Sequence, residues 1–131
     1  MPIESSITPK SLTNMRVLVV DDDADILFLA KHFLESAGCV VMDFLKPEQA
    51  VMALKSQNVD LLLTDFKMPG DLSGLDLAQL ATRLHPAIKV IIATGMDPDF
   101  CKQIWDAGFM VLGKPYNHDQ LVQTIQSLFA E

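Results

Sequence analysis

Leu61-Leu62-Leu63-Thr64-Asp65-Phe66-Lys67-Met68-Pro69-Gly70 carries the clearest sign of the architecture. Consecutive leucines followed by Thr64 read as a strand buried on both faces, because a strand with one wet face alternates apolar and polar residues. The Met68-Pro69-Gly70 exit is sharp, so the carboxylate of Asp65 is expected at the rim of the sheet. The plainer reading makes Asp65 only a strand terminator. The residues at the other strand ends decide against it.

Moving outward, Val17–Val20, Cys39–Phe44, Val90–Ala93 and Phe109–Leu112 are further apolar runs. Helical stretches lie between them at about Asp23–Ala37, Pro47–Ser56, Gly74–Leu84 and Asp99–Ala107, with a last one at Asn117–Phe129. Pro47 suits a first helical position, Gly38 follows Ala37 where a terminating glycine belongs, and Asn117 suits an N-cap. Strands alternating with helices predict an α/β fold, with an open parallel sheet covered on both faces. Right-handed crossovers leave few topologies, and ligands bind beyond the carboxyl ends of the strands.

The 131 residues fit one domain, and with half of them apolar they fill a single core. The net charge of −7, from 17 acidic and 10 basic side chains, excludes the basic footprint of a nucleic-acid binder. A cation or a basic partner is the complement to expect. Cys39 and Cys101 have no metal-ligand or CxxC spacing and point to a reducing compartment. No signal peptide opens the chain and no apolar run reaches membrane-spanning length, so a soluble, cytoplasmic protein is expected. Residues 1–14 are polar and aperiodic and read as a flexible N-terminal tail.

The strand ends carry the chemistry. They are Asp21-Asp22-Asp23, Thr64-Asp65, Thr94-Gly95 and Lys114-Pro115. Crowded carboxylates repel unless a cation neutralises them, and a hard divalent ion with oxygen ligands, Mg²⁺, is the natural complement. With the metal in place a phosphoryl group becomes the expected guest, held by Lys114 and Thr94, and one carboxylate is a candidate nucleophile for an acyl phosphate. Asp23 reads better as a helix N-cap. An EF-hand from Asp21, Asp23 and Asp25 fails, because Ile26 stands where glycine is needed and His32 where a bidentate glutamate belongs. Gly108 to Lys114 imitates a P-loop, but Pro115 replaces the required Ser/Thr and the intervening residues read as a strand. His32, His85 and His118 share no ligand spacing and read as surface residues.

Val19-Val20-Asp21-Asp22, Leu63-Thr64-Asp65-Phe66-Lys67-Met68-Pro69, Ile92-Ala93-Thr94-Gly95 and Gly113-Lys114-Pro115-Tyr116 together resemble the receiver domains of two-component response regulators. The resemblance runs from Arg16 to Phe129, and residues 15–131 are taken as the receiver domain. It implies a flavodoxin-like five-stranded parallel sheet in the order 2-1-3-4-5, flanked by five helices. It also implies that Asp65 is the phosphoacceptor and that Mg²⁺ is bound by Asp21, Asp22, Asp65 and the backbone carbonyl of Lys67. Thr94 would bind the phosphoryl group and Lys114 would pair with Asp65, with a cis peptide before Pro115. The implied donor is a histidine kinase or histidine phosphotransfer protein. The implied output is a downstream protein target, met through the fourth helix, fifth strand and fifth helix, with no enzymatic activity beyond self-catalysed phosphoryl transfer. Within Asp23–Ala37, Ile26, Leu29, Ala30, Phe33, Leu34 and Ala37 form a helical stripe that suits the core. Leu27 and Phe28 lie off that stripe, and the surplus is read as the docking surface for the partner.

Departures from the family fall in the switching region. There is one residue more than usual between Asp65 and Gly74, and one fewer between Gly108 and Lys114. Val111 stands where many receivers place an aromatic ring, with Phe109 or Tyr116 as substitutes. A rival reading resembles the haloacid-dehalogenase phosphohydrolases, with Asp21 as nucleophile and Asp23 as its partner. It lacks a final acidic pair, since Asp119 stands alone between Lys114 and Glu131. A receiver excised from a hybrid histidine kinase is a further alternative, and a nucleotide or flavin module lacks the glycine-rich first turn. In the family, phosphoryl lifetime is tuned two residues after the phosphoacceptor and two after the threonine, here Lys67 and Met96. An apolar Met96 orients no water, so Met96→Glu is expected to shorten the half-life of the phosphoryl group. A half-life that is unchanged or longer contradicts this.

Overall fold

The computed structural model describes residues 12–130. In chain order the elements are β1 (Arg16–Val20), α1 (Ala24–Ser36), β2 (Val40–Phe44), α2 (Pro47–Ser56), β3 (Leu61–Asp65), α3 (Gly74–Leu84), β4 (Lys89–Thr94), α4 (Pro98–Asp106), β5 (Met110–Gly113) and α5 (His118–Leu128). The strands form one parallel sheet in the order β2-β1-β3-β4-β5. This is the flavodoxin-like α/β architecture that the resemblance implied.

The two-residue period of the strands divides the core between two faces. On one face Leu18, Val20, Leu62 and Ile92 pack under α2, α3 and α4, which contribute Leu54, Leu77 and Ile104. On the other, Val17, Val19, Leu61 and Leu63 pack under α1 and α5 through Leu34, Leu121 and Ile125. All of β3 is buried. An unbroken apolar run is what a strand covered on both sides requires.

Local chemistry sets the helix boundaries. Asp23 and Asp97 cap α1 and α4, each accepting backbone N–H bonds through its side chain. Ser73 and Asn117 open α3 and α5 with capping boxes, and Pro47 stands in the first turn of α2. Gly38 takes φ +98 after α1, the left-handed conformation expected there.

Several expectations need correction. In α1 the buried residues are Leu27, Ala30 and Leu34, while Phe28 and Leu29 are exposed. Leu27 faces the core and Leu29 does not, because the helix is apolar all the way from Ile26 to Ala30 and pattern alone leaves its rotation open. Of the expected flexible tail, residues 1–11 lie outside the described residues. Leu12, however, is buried in the α1/α5 face. Its carbonyl accepts from Met15 N–H at 3.0 Å, and Asn14 N–H donates to Gly38 O at 2.8 Å, so the packed chain begins before Met15. His85 is not a plain surface residue, because its Nε2–H donates to the Leu54 carbonyl at 2.6 Å and ties the end of α3 to α2. The fourth helix starts at Pro98, since Asp97 rather than a later residue caps it.

Candidate functional site

Four strand ends and one loop build the site. Asp21 follows β1 and is buried; its Oδ1 accepts the Asp23 N–H at 2.9 Å. Asp22 beside it is exposed. Asp65 closes β3 and is also buried. At this point α3 comes in very close, since a Cβ on Gly74 would lie 2.0 Å from the Asp65 backbone oxygen. The Gly74 N–H donates to the Phe66 carbonyl at 2.8 Å, so the segment leaving Asp65 is gripped by the start of α3. The sequence signal for this contact is a glycine inside a helical turn, directly after the Ser73 cap, where no bend calls for one.

Thr94 closes β4, buried, with Gly113 as its partner in β5. The Lys114 N–H donates to the Thr94 carbonyl at 2.7 Å, so the two exits are tied together. The Lys114–Pro115 peptide is cis. Lys114 Nζ stands 3.3 Å from Asp21 Oδ2 and 3.2 Å from Asp65 Oδ1. Ligand oxygens of Asp21, Asp22 and Asp65 lie within 4.8 Å of one another. Asp21, Asp22, Asp65 and Lys114 are thus brought together, with Thr94 at the adjoining strand end. Lys67 sits in the exit loop, two residues past Asp65, with an exposed side chain.

The electrostatics follow from burial and crowding. Burial and the Asp21 charge push the Asp65 carboxyl up to about 6, and Lys114 offsets only part of this. Asp21 is raised as well, mainly by its own burial. Burial works against the Lys114 ammonium, but Asp21 and Asp65 outweigh it and hold its pKa above the ordinary lysine value. Burial, followed by the same two carboxylates, raises the Tyr116 hydroxyl. One ammonium faces three carboxylates, which leaves a deficit of about two positive charges, as a divalent cation would supply. The oxygen-only donor set fits a hard ion of this kind.

Met96 adopts φ 69 just past β4. Its Sδ and Cγ lie 2.8 and 2.9 Å from where a Gly113 Cβ would stand, so the thioether lies over the glycine that precedes Lys114. Val111 and Phe109 pack against the α2–α4 face, and Tyr116 against the opposite one.

Residues 17–126 match the response regulator receiver domain. The chain belongs to that family. It is a two-component receiver, and receivers act in phosphorylation-dependent signalling. It is 33% identical over 115 residues to the response regulator receiver protein CpdR of Brucella abortus, covering 86% of this chain and 95% of that protein. It is 35% identical over 112 residues to the DNA-binding transcriptional regulator NtrC of Salmonella typhimurium, 84% of this chain and 24% of that protein. The chain therefore spans about a quarter of the length of the first curated relatives it matches. Among solved structures, a CheY-like receiver domain protein from Methanospirillum hungatei superposes with a TM-score of 0.80 at 30% identity, covering 88% of this chain and 93% of that one. The receiver domain of the hybrid histidine kinase CckA shares the fold, with a TM-score of 0.73 at 23% identity, covering 87% and 98%. These matches favour the receiver over the phosphohydrolase reading that made Asp21 the nucleophile.

The raised Asp65 pKa has a consequence for stability. Asp65 binds its proton more tightly in the folded chain, so its favourable contribution is complete below the ordinary aspartate pKa and is lost as pH rises through about 6. Without divalent cations, Asp65→Asn is expected to raise stability at neutral pH by about 1 kcal/mol, after allowance for the lost pairing with Lys114. Urea denaturation should show this gain fading as pH falls toward the ordinary aspartate range. A loss of stability at neutral pH, or a gain independent of pH, contradicts the assignment.

Proposed function

We propose that Asp65 is the phosphoacceptor and that it takes its phosphoryl group from a phosphohistidine on a partner protein. The observation that carries this reading is the pairing of Lys114 Nζ with both Asp65 and Asp21 at the mouth of an acidic cluster. An Asp65 carboxylate oxygen attacks phosphorus, the P–N bond to the donor imidazole breaks, and its electron pair returns to the ring nitrogen. The product is an acyl phosphate on Asp65. A carboxylate with a raised pKa is a better nucleophile than an ordinary one, provided it is ionised.

The chain's own residues divide the remaining work. Lys114 balances Asp65 before transfer and is within reach of a phosphoryl oxygen afterwards. The Thr94 hydroxyl, at the adjoining strand end, is the donor for another phosphoryl oxygen. Asp21, Asp22 and Asp65, with the Lys67 backbone carbonyl, would hold Mg²⁺. A bound divalent cation there supplies the positive charge that phosphoryl oxygens need and that one lysine cannot. Water attack on the acyl phosphate returns Asp65, so the only catalysis assigned to the chain is its own phosphorylation and dephosphorylation.

The donor is a histidine kinase or histidine phosphotransfer protein. A groove of about 610 Å³ beside α1, lined by Leu27, Phe28, Lys31, His32 and Leu45 among others, supports docking there. Output is assigned to protein contacts on the α4-β5-α5 face, where Trp105 is 64% exposed. Nucleic acid is not a partner on this reading, given the charge of −7. A membrane is not one either, and no described helix is long and apolar enough to cross one.

Incubation with acetyl phosphate and MgCl₂, followed by intact mass, should add one phosphoryl group to the native chain and none to Asp65→Asn. Chelation of the metal should also prevent labelling. Unchanged labelling of Asp65→Asn contradicts the proposal, and labelling lost only in Asp21→Asn would restore the phosphohydrolase reading.

A further inference from the structure

The segment leaving Asp65 is held from more than one side. The Phe66 N–H donates to the Ala93 carbonyl at 2.9 Å, and its own carbonyl accepts from Gly74 at 2.8 Å. The Lys67 side chain is exposed. Its Nζ lies 5.7 Å from the centroid of the Phe100 ring, within the range of a cation–π contact. The same ring sits against Phe66, with centroids 4.7 Å apart and planes at 40°. Phe100 stands in the first turn of α4 and is itself packed on the core beneath. One aromatic ring on α4 therefore touches both residues that follow Asp65.

We propose that Phe100 is a positioning residue for the cation site, holding the Lys67 segment so that its backbone carbonyl can complete the set begun by Asp21, Asp22 and Asp65. The proposal rests on reading that cluster as a divalent-cation site with the Lys67 carbonyl as a ligand. Energetic coupling between two places is reciprocal, so a ring on α4 that favours cation binding also lets cation binding bias α4. This link runs along the β3 and α4 side of the site. It does not call for a ring on β5, where Val111 packs against the same core as Phe66 and Phe100. Trp105 is exposed on the same helix, so a bias in α4 would reach the surface there.

Titration of the full chain with MgCl₂, followed by amide NMR, tests this without any phosphoryl transfer. In the native chain, amides around Asp21, Asp22 and Asp65 should shift with Mg²⁺, and those of Phe100 through Trp105 should shift with the same dissociation constant. Phe100→Leu keeps an apolar side chain but loses the ring. It should raise that constant about two- to fivefold, the scale of one exposed cation–π contact, and flatten the α4 response. Phe100→Tyr should restore both. Lys67→Met keeps the backbone carbonyl and should weaken binding to a similar degree, with little further loss when combined with Phe100→Leu. If Phe100→Leu or Lys67→Met binds Mg²⁺ as the native chain does, or if α4 amides stay still while the site amides move, the positioning role of Phe100 is overturned and the cation site stands. A native chain in which no site amide moves overturns both.

Discussion

Carboxylates gathered at the end of a parallel sheet repel one another, and the Lys114 ammonium between Asp21 and Asp65 is the fold's own answer to that repulsion. Asp21 and Asp65 are placed by β1 and β3, which are buried on both faces, so neither can move aside without disturbing the core. Asp65 continues a β3 that is wholly buried, and the approach of α3 at Gly74 fixes the backbone just beyond it. Lys114 is held by the bond from its N–H to Thr94. The answer is incomplete, since one ammonium meets three acidic side chains. The raised pKa values of Asp21 and Asp65 come first from burial and, for Asp65, next from the Asp21 charge that Lys114 only partly offsets. The deficit of positive charge suits the site to a divalent cation.

Much of this was legible in the residues themselves. Unbroken apolar runs such as Leu61–Leu63 mark strands covered on both sides, and the observed β3 differs only by extending through Thr64 and Asp65. Polar residues falling at the ends of such runs mark the rim, which is why Asp21, Asp65, Thr94 and Lys114 stand out in the sequence. The errors have physical causes too. In α1, apolar residues at Ile26–Ala30 satisfy more than one helix rotation, and only packing on the sheet selects Leu27 over Leu29. Leu12 lies among polar residues and prolines, so its burial depends on a turn with Asn14 that periodicity cannot detect. The contact of Met96 with Gly113 and the stacking of Phe66 on Phe100 join residues far apart in the chain, and no local pattern announces them.

The switching region differs from the family pattern in ways the structure makes specific. Val111 is small and packs against the core, leaving no ring on β5 to follow Thr94. Tyr116 packs on the opposite face, with its hydroxyl pKa raised by burial and the site carboxylates. Met96, in a left-handed conformation, covers Gly113 and ties the exit of β4 to that of β5. An aromatic pair lies instead beside the exit of β3, where Phe66 meets Phe100. Phe100 thereby joins the exit of β3 to α4 without a β5 aromatic.

Burial together with carboxylate crowding, only partly offset by Lys114, tunes Asp65, and the crowding creates the demand for a cation. This is tested most directly by following the side-chain carboxyl carbon of Asp65 by NMR across pH, with and without Mg²⁺. Without the metal, Asp65 should titrate near 6. With Mg²⁺ its midpoint should fall clearly, because a nearby cation favours the ionised form. An Asp65 that titrates in the ordinary aspartate range without metal, or at the same pH in both conditions, would contradict the account.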